Sequence, residues 1–271
     1  MLVLVVVTLA AGRARAADDG DELQVNRAAG GAFVLVGGLL YFLSEGPWKH
    51  DLAPDACRWC DGDTANPLDR GVRDALRWDE PGRARTLSNW SGYVAVPVVG
   101  LGLLAAAGAA DGRAGGAIFD DELVVMEALV GAALINQGVK FLVGRERPFV
   151  HDLPAGHAGR HTDDENLSFY SGHTTLGFSV AVASGTVASL RGYRAAPWIW
   201  ASGLTLAGAT GYLRIAADKH YFTDVLTGAV VGSLVGFAVP YWLHQRGPGA
   251  EGAPAGTAWQ SAPLVSWSGT F

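Results

Sequence analysis

The chain has 271 residues, 49% of them apolar and 17% charged, with a net charge of -6 and 37 glycines. That length allows one or two domains, and no break in composition divides it. The charge balance shows no basic stripe for nucleic acid, and the pattern is not that of a coiled coil, a repeat array or a disordered tail domain.

The N-terminal run Leu2 to Ala11 is apolar and leads to Ala14-Arg-Ala16, an A-x-A arrangement that fits an export signal over residues 1–16, although a basic n-region is missing. The alternative is a short hydrophobic lead into the first membrane helix. Six apolar runs follow, each near the length that crosses a bilayer core: Ala28 to Leu43, Gly92 to Ala110, Leu123 to Val143, Thr174 to Leu190, Pro197 to Leu213 and Val225 to Leu243. The expected fold is all-α, a six-helix transmembrane bundle with its active site at one membrane face. A compact soluble helical domain is the alternative for helices so rich in small residues. The expected division is a first membrane helix and polar loop over 17–90, a helical catalytic core over 91–245, and an extended C-terminal tail over 246–271.

Glu127 and Lys140 are the ionisable residues inside the third run, and charge at membrane depth marks a functional candidate. Gly228, Gly232 and Gly236 recur every fourth residue, a smooth strip for close helix contact. The polar segment Ser44 to Ser91 is too charged for lipid and is expected to pack as interfacial structure. It holds Cys57 and Cys60, the chain's two cysteines. Two thiolates cannot complete a zinc site, so a local disulfide in an exported loop is the favoured reading.

Three clusters stand at the edges of the apolar runs. In the first, Lys140 and Arg147 are seven apart and would share a face if the helix continued to Pro148. Two cations there suit a phosphate, with the guanidinium able to fork onto two oxygens. In the second, Ser171 and Gly172 precede His173, a helix start with room for an anion and a histidine placed to protonate a departing oxygen. In the third, Arg214 is followed by His220 and Asp224, four apart, so that the carboxylate can hold one imidazole nitrogen and leave the other free to attack. Alternating helix direction brings all three clusters to one end of the bundle.

These residues resemble the type 2 phosphatidic acid phosphatase superfamily, whose core is shared with vanadium haloperoxidases and bacterial class A acid phosphatases. The first motif is matched in full by Lys140, Arg147 and Pro148. Tyr170 replaces the proline of the second, while Ser171, Gly172 and His173 remain; Leu213 replaces the serine of the third, while Arg214, His220 and Asp224 keep the register. The resemblance covers roughly residues 90 to 245 by the helices that carry the motifs. It implies His220 as the nucleophile forming a phosphohistidine, Asp224 raising its basicity, and His173 as the general acid. Lys140, Arg147, Ser171, Gly172 and Arg214 would cradle the phosphate, with no metal and no cofactor.

The substrate implied is a lipid phosphate or diphosphate (phosphatidate, phosphatidylglycerophosphate or a polyprenyl diphosphate), met at a bacterial-type inner membrane. Nucleic acid is not expected as a partner, and the sequence leaves the oligomeric state open. A soluble exported acid phosphatase or a vanadate-dependent haloperoxidase on the same core are the other readings. The resemblance places the site on the extracytoplasmic side, whereas the Lys and Arg of the loop from 44 to 91 favour the reverse orientation by the positive-inside rule.

Overall fold

The structure, a computed structural model, describes residues 23–60, 65–153 and 162–244. The expected export signal over 1–16 and the tail from 247 onward lie outside the described residues. Within them the chain is helical, with no strand, and an isolated parallel bridge joins Trp59 to Arg145. The helices in chain order are α1 (Arg27–Glu45), α2 (Lys49–Leu52), α3 (Pro67–Leu76), α4 (Pro81–Trp90), α5 (Val96–Ala110), α6 (Gly115–Val143), α7 (Gly172–Leu190), α8 (Ala196–Ala216) and α9 (Phe222–Ala238). A π-helical turn, Ser91–Ala95, joins α4 to α5, and another, Val239–His244, extends α9.

Each expected apolar run falls on a helix, but three helical stretches are long and apolar enough to cross a membrane: Arg27–Glu45, Pro81–Ala110 and Phe222–His244. This narrows the expected six spans, and the reason lies in the other helices. α6 carries Asp120, Asp121, Glu122 and Glu127, and α8 is rich in Gly, Ala, Ser and Thr. α7 is surrounded by protein, and from Ser179 to Ala188 every residue is buried. The outer helices expose their apolar side chains instead, with Leu35, Val98, Leu234 and Trp242 all largely exposed. Glu127, flagged by its depth, meets His244 Nε2 at 2.8 Å and takes no part in the phosphate cluster.

Small residues set how tightly α7 is gripped. A Cβ on Gly228, Gly232 or Gly236 of α9 would press into the carbonyl oxygens of Ser171, Thr175 and Ser179 on α7. On the other side a Cβ at Gly203 of α8 would stand 3.0 Å from the Ala181 Cβ. In lipid, where apolar burial gives helices little reason to associate, such close backbone approach supplies the dispersion that holds them. The core between them is built from Val124, Val125, Ala128, Val180, Val187 and Ile199. At the end of α6 and α7 away from the three clusters, Asp121 binds Arg191 Nε at 2.7 Å and the Tyr193 hydroxyl at 2.5 Å, fastening that end.

Gly232→Val is therefore expected to destabilise the fold by about 1–3 kcal/mol through overpacking, read as a lower thermal midpoint in detergent. Gly208→Ala, whose Cβ would meet nothing within 4 Å, should leave the midpoint unchanged or raise it.

Candidate active site

The three clusters meet at one end of the bundle, where α6 and α8 finish and α7 and α9 begin. α6 stops at Val143 because Gly144 turns left-handed, φ 59°, and its N–H donates to the Lys140 carbonyl at 3.1 Å. Arg147 is thus delivered by an extended segment and not by a continued helix. Pro148 then opens a short 3-10 turn, Pro148–Asp152. The Arg147 guanidinium is held by carbonyls, Nε to Asp164 O at 2.7 Å and Nη1 to Lys219 O at 3.2 Å.

Around these cations runs a chain of alternating charge from the α1–α2 region. Lys140 Nζ lies 3.8 Å from Glu45, Glu45 lies 2.9 Å from Lys49 Nζ, and Lys49 lies 2.5 Å from Asp164. Burial opposes ionisation of Asp164, yet Arg147 and Lys49 outweigh it and hold the carboxyl well below its ordinary range. Lys49 is desolvated too, and Asp164 and Glu45 nevertheless raise its pKa. None of Glu45, Lys49 or Asp164 carried a signal in the sequence.

Ser171 caps α7, but its hydroxyl faces Thr174 Oγ1 at 2.9 Å and makes no bond to a backbone N–H of the first turn. Those N–H groups point along the helix axis toward the cations, the arrangement that receives an anion. Gly172 is required by space, since a Cβ there would stand 2.9 Å from Asn136 Oδ1 and 3.2 Å from Lys140 Nζ. His173 sits on the same turn with Nε2 at 2.9 Å from Asn89 Oδ1 and its ring 4.3 Å from that of Tyr93. Gly92 lets α4 and its π-helical turn come this close, for its Cβ would lie 3.1 Å from His173 Cδ2.

Arg214, in the last turn of α8, donates through Nη1 to Ser88 Oγ at 3.2 Å. Its buried Nε has no hydrogen-bond partner among the described residues. A buried donor left open on a guanidinium is costly unless an acceptor arrives, and a phosphate oxygen is such an acceptor.

After α8 the chain turns through Asp218, φ 57°, a conformation fixed by the Arg73 guanidinium gripping both carboxylate oxygens at 2.7 Å. His220 follows, buried, just outside α9. Its Nδ1 lies 2.8 Å from the Ser168 carbonyl and 3.7 Å from Asp224 Oδ2. The hydrogen bond therefore goes to the carbonyl, which makes Nδ1 the protonated nitrogen and leaves the Nε2 lone pair free. Asp224 stands in the first turn of α9 and is tied elsewhere: Oδ2 accepts from Ser168 Oγ at 2.5 Å and from Tyr221 N at 3.0 Å. The pair is brought together by this helix start and not by one helical turn. Burial, then Arg147, Arg214 and Lys140, push the His220 imidazolium pKa well below 6.5.

A further residue that the sequence did not single out is Arg145. It is fully buried, with Nη1 on Asp224 Oδ1 at 2.6 Å and on Thr223 Oγ1 at 2.8 Å, and Nη2 on Asp69 Oδ2 at 2.9 Å. Its Cζ is 4.2 Å from the Trp59 ring centroid and 4.1 Å from that of Tyr221. In the sequence, Arg145-Glu146-Arg147 reads as a charged exit from a helix, and nothing there distinguishes a buried arginine from a solvated one.

Two outcomes follow. Arg145→Met should cost about 3–5 kcal/mol of stability, because Asp69 and Asp224 would stay buried without their counter-charge; chemical denaturation reads this. A nucleophilic His220 must be neutral, and its lowered pKa keeps it so well into the acid range. The acid limb of kcat/KM that reports His220 should therefore have its midpoint below 6.5.

Comparison with known proteins follows the same segment of chain. The PAP2 superfamily matches residues 122–248. A relative named "Lipid A 1-phosphatase", from Porphyromonas gingivalis, is 37% identical over 116 residues, which is 43% of this chain and 22% of the relative. The match thus spans about a fifth of that relative's length. Every expected site residue from Lys140 to Asp224 lies inside the matched family segment, while Glu45, Lys49, Asp69 and Asn89 are contributed from outside it. Residues 122–248 of this chain form a PAP2 superfamily domain.

Proposed function

We propose that this protein is a membrane-embedded phosphatase that hydrolyses a lipid phosphate or diphosphate through a phosphohistidine on His220. The observation that carries the reading is the geometry of His220: Nδ1 is committed to the Ser168 carbonyl at 2.8 Å, so Nε2 is left as a neutral nucleophile beside three cations. Lys140, Arg147 and Arg214 would bind the non-bridging oxygens of the phosphoryl group, with the N–H groups of Gly172 and His173 at the start of α7.

His220 Nε2 attacks phosphorus as the bond to the leaving oxygen breaks, and that oxygen takes its proton from His173. Water then attacks the phosphohistidine and gives a proton back to His173. Phosphate leaves and His220 is restored. Asn89, at 2.9 Å from His173, would keep that ring in orientation through both steps. Asp224 acts from 3.7 Å as a charge that stabilises the developing imidazolium, while the Ser168 carbonyl aims the ring.

The relative's printed name adds a lipid A 1-phosphate to the substrate class, beside phosphatidate, phosphatidylglycerophosphate and polyprenyl diphosphate. The exposed apolar faces of α1 and α9 favour a membrane-embedded enzyme over a soluble acid phosphatase or haloperoxidase. We assign the site to the extracytoplasmic face of an inner membrane on the family resemblance.

The division of labour is tested by the leaving group. His173→Ala should lose about 10²–10⁴-fold on an alkyl lipid phosphate and recover much of that on an aryl phosphate, whose leaving group needs little protonation. His220→Ala should be inactive on both. Equal losses on both substrates would defeat the assignment. Activity should also survive EDTA, because the cations of the cradle supply the charge that a divalent ion supplies in other phosphoryl-transfer enzymes; loss on chelation, restored by a divalent ion, would contradict it.

A further inference from the structure

The Cys-Arg-Trp-Cys turn takes no part in the chemistry above, yet it is built into the structure beneath that chemistry. Cys57 and Cys60 are joined by a disulfide. The turn they close lies against the C-terminal end of α6. Arg58 N and Trp59 N reach Gly144 O at 2.9 and 3.4 Å, and Glu146 N donates to Trp59 O at 3.0 Å. Arg58 Nη1 donates to the open carbonyls of Phe141 and Leu142 at 3.2 and 2.9 Å.

These bonds align Trp59 with Arg145 as a parallel bridge and set the indole ring over the Arg145 guanidinium. Trp59 also packs 5.4 Å from Phe169, the residue after Ser168. One side of the guanidinium is therefore covered by the turn, while its nitrogens hold Asp69 and Asp224. Trp59 is 41% exposed, so the closed turn and not burial is what keeps its ring in place. Joining two residues so close in sequence removes open conformations of the turn.

We propose that the disulfide-closed turn is a positioning clamp for the nucleophile: Trp59 holds Arg145, Arg145 holds Asp224, and the segment that they fix carries the Ser168 carbonyl that aims His220. Trp59 is a positioning residue in this scheme and does not touch substrate. The clamp is also a redox-sensitive element. A dithiol reductant gives two electrons and two protons, the sulfur–sulfur bond of Cys57 and Cys60 opens to two thiols, and the reductant leaves as a cyclic disulfide. The exposed Cys60 is within its reach. This inference rests on the phosphatase reading above.

The test uses the full chain in detergent, oxidised or treated with dithiothreitol, as wild type, Trp59→Ala, Trp59→Phe and the double variant Cys57→Ser, Cys60→Ser. Reduction, Trp59→Ala and the double variant should each lower kcat about tenfold, since small displacements of reacting groups are amplified in the rate. KM and inhibition by inorganic phosphate should stay within about twofold, because the cradle is untouched. Trp59→Phe, which keeps a ring over the cation, should retain most of the rate, and the double variant should ignore the reductant. Unchanged kcat in Trp59→Ala would overturn the clamp, as would a parallel loss of phosphate affinity. The chain has no other cysteine, so a reductant effect that survives in the double variant would overturn it too. A second readout does not need turnover: the proton NMR signal of His220 Nδ1–H should shift on reduction, and a fixed signal also overturns the clamp. If the oxidised wild type hydrolyses no phosphate ester, the phosphatase reading fails, and this signal still decides the clamp.

Discussion

The structure turns on one buried guanidinium. Arg145 lies between two carboxylates and two aromatic rings, and its partners come from three different pieces of chain: Asp69 from α3, Asp224 and Tyr221 from the start of α9, Trp59 from the disulfide turn. Removing three charges from water costs several kcal/mol per ion unless their hydrogen bonds are satisfied. Here they are, for Asp69 also accepts from Thr223 N and Oγ1 at 2.8 and 2.7 Å, and Asp224 also accepts from Ser168 and Tyr221. Burial opposes ionisation of Asp69, but the bonds from Arg145 and Thr223 hold its carboxyl below the ordinary range. Such a cluster tolerates few arrangements, and so it fixes where α9 begins. That in turn fixes His220, one residue before the Tyr221 whose N–H Asp224 accepts.

Around that anchor the candidate site is electrostatically asymmetric. Arg145 is neutralised by the carboxylates at its nitrogens. The cations of the candidate cradle are matched less closely: Arg147 is held by carbonyl oxygens with the Asp164 carboxylate at 3.9 Å, Arg214 by a serine hydroxyl, and Lys140 has its carboxylate at 3.8 Å. Lys219, beside them, is pushed down to about 8 by burial and by Arg147, Arg85 and Arg214. Positive charge concentrated where solvent is excluded is relieved by an anion, and a phosphoryl group has the charge and oxygens to do it. On the proposed reading, this difference between Arg145 and Arg147, two residues apart, separates a structural arginine from one that binds phosphate.

Much of this was legible in the sequence. The apolar runs marked the helices, and the four-residue spacing of Gly228, Gly232 and Gly236 marked the face of α9 that meets α7. The three clusters do converge, because alternating helices must return their ends to a common side. What could not be read was contact between distant segments. Glu45 lies 95 residues from the Lys140 that it faces, Asn89 lies 84 from His173 and Lys49 lies 115 from Asp164, and their types are common on any polar surface. Gly144 ended α6 earlier than the Lys140–Arg147 spacing suggested, since a glycine near a helix end is a stop only when its backbone turns left-handed. The His220–Asp224 spacing does place the two residues near each other, at 3.7 Å, but a helix start and a backbone carbonyl, not one helical turn, set their geometry. α7 is also enclosed by protein along most of its length, which a hydropathy pattern does not show.

The central claim is that His220 forms the covalent intermediate. It is tested most directly by brief reaction with a lipid phosphate labelled at phosphorus, a quench that avoids acid, and mass-spectrometric location of the label. The account predicts a phosphorylated His220 that forms and decays at rates able to carry turnover, and that is absent in His220→Ala. Turnover with no labelled protein, or label on a residue other than His220, would contradict it.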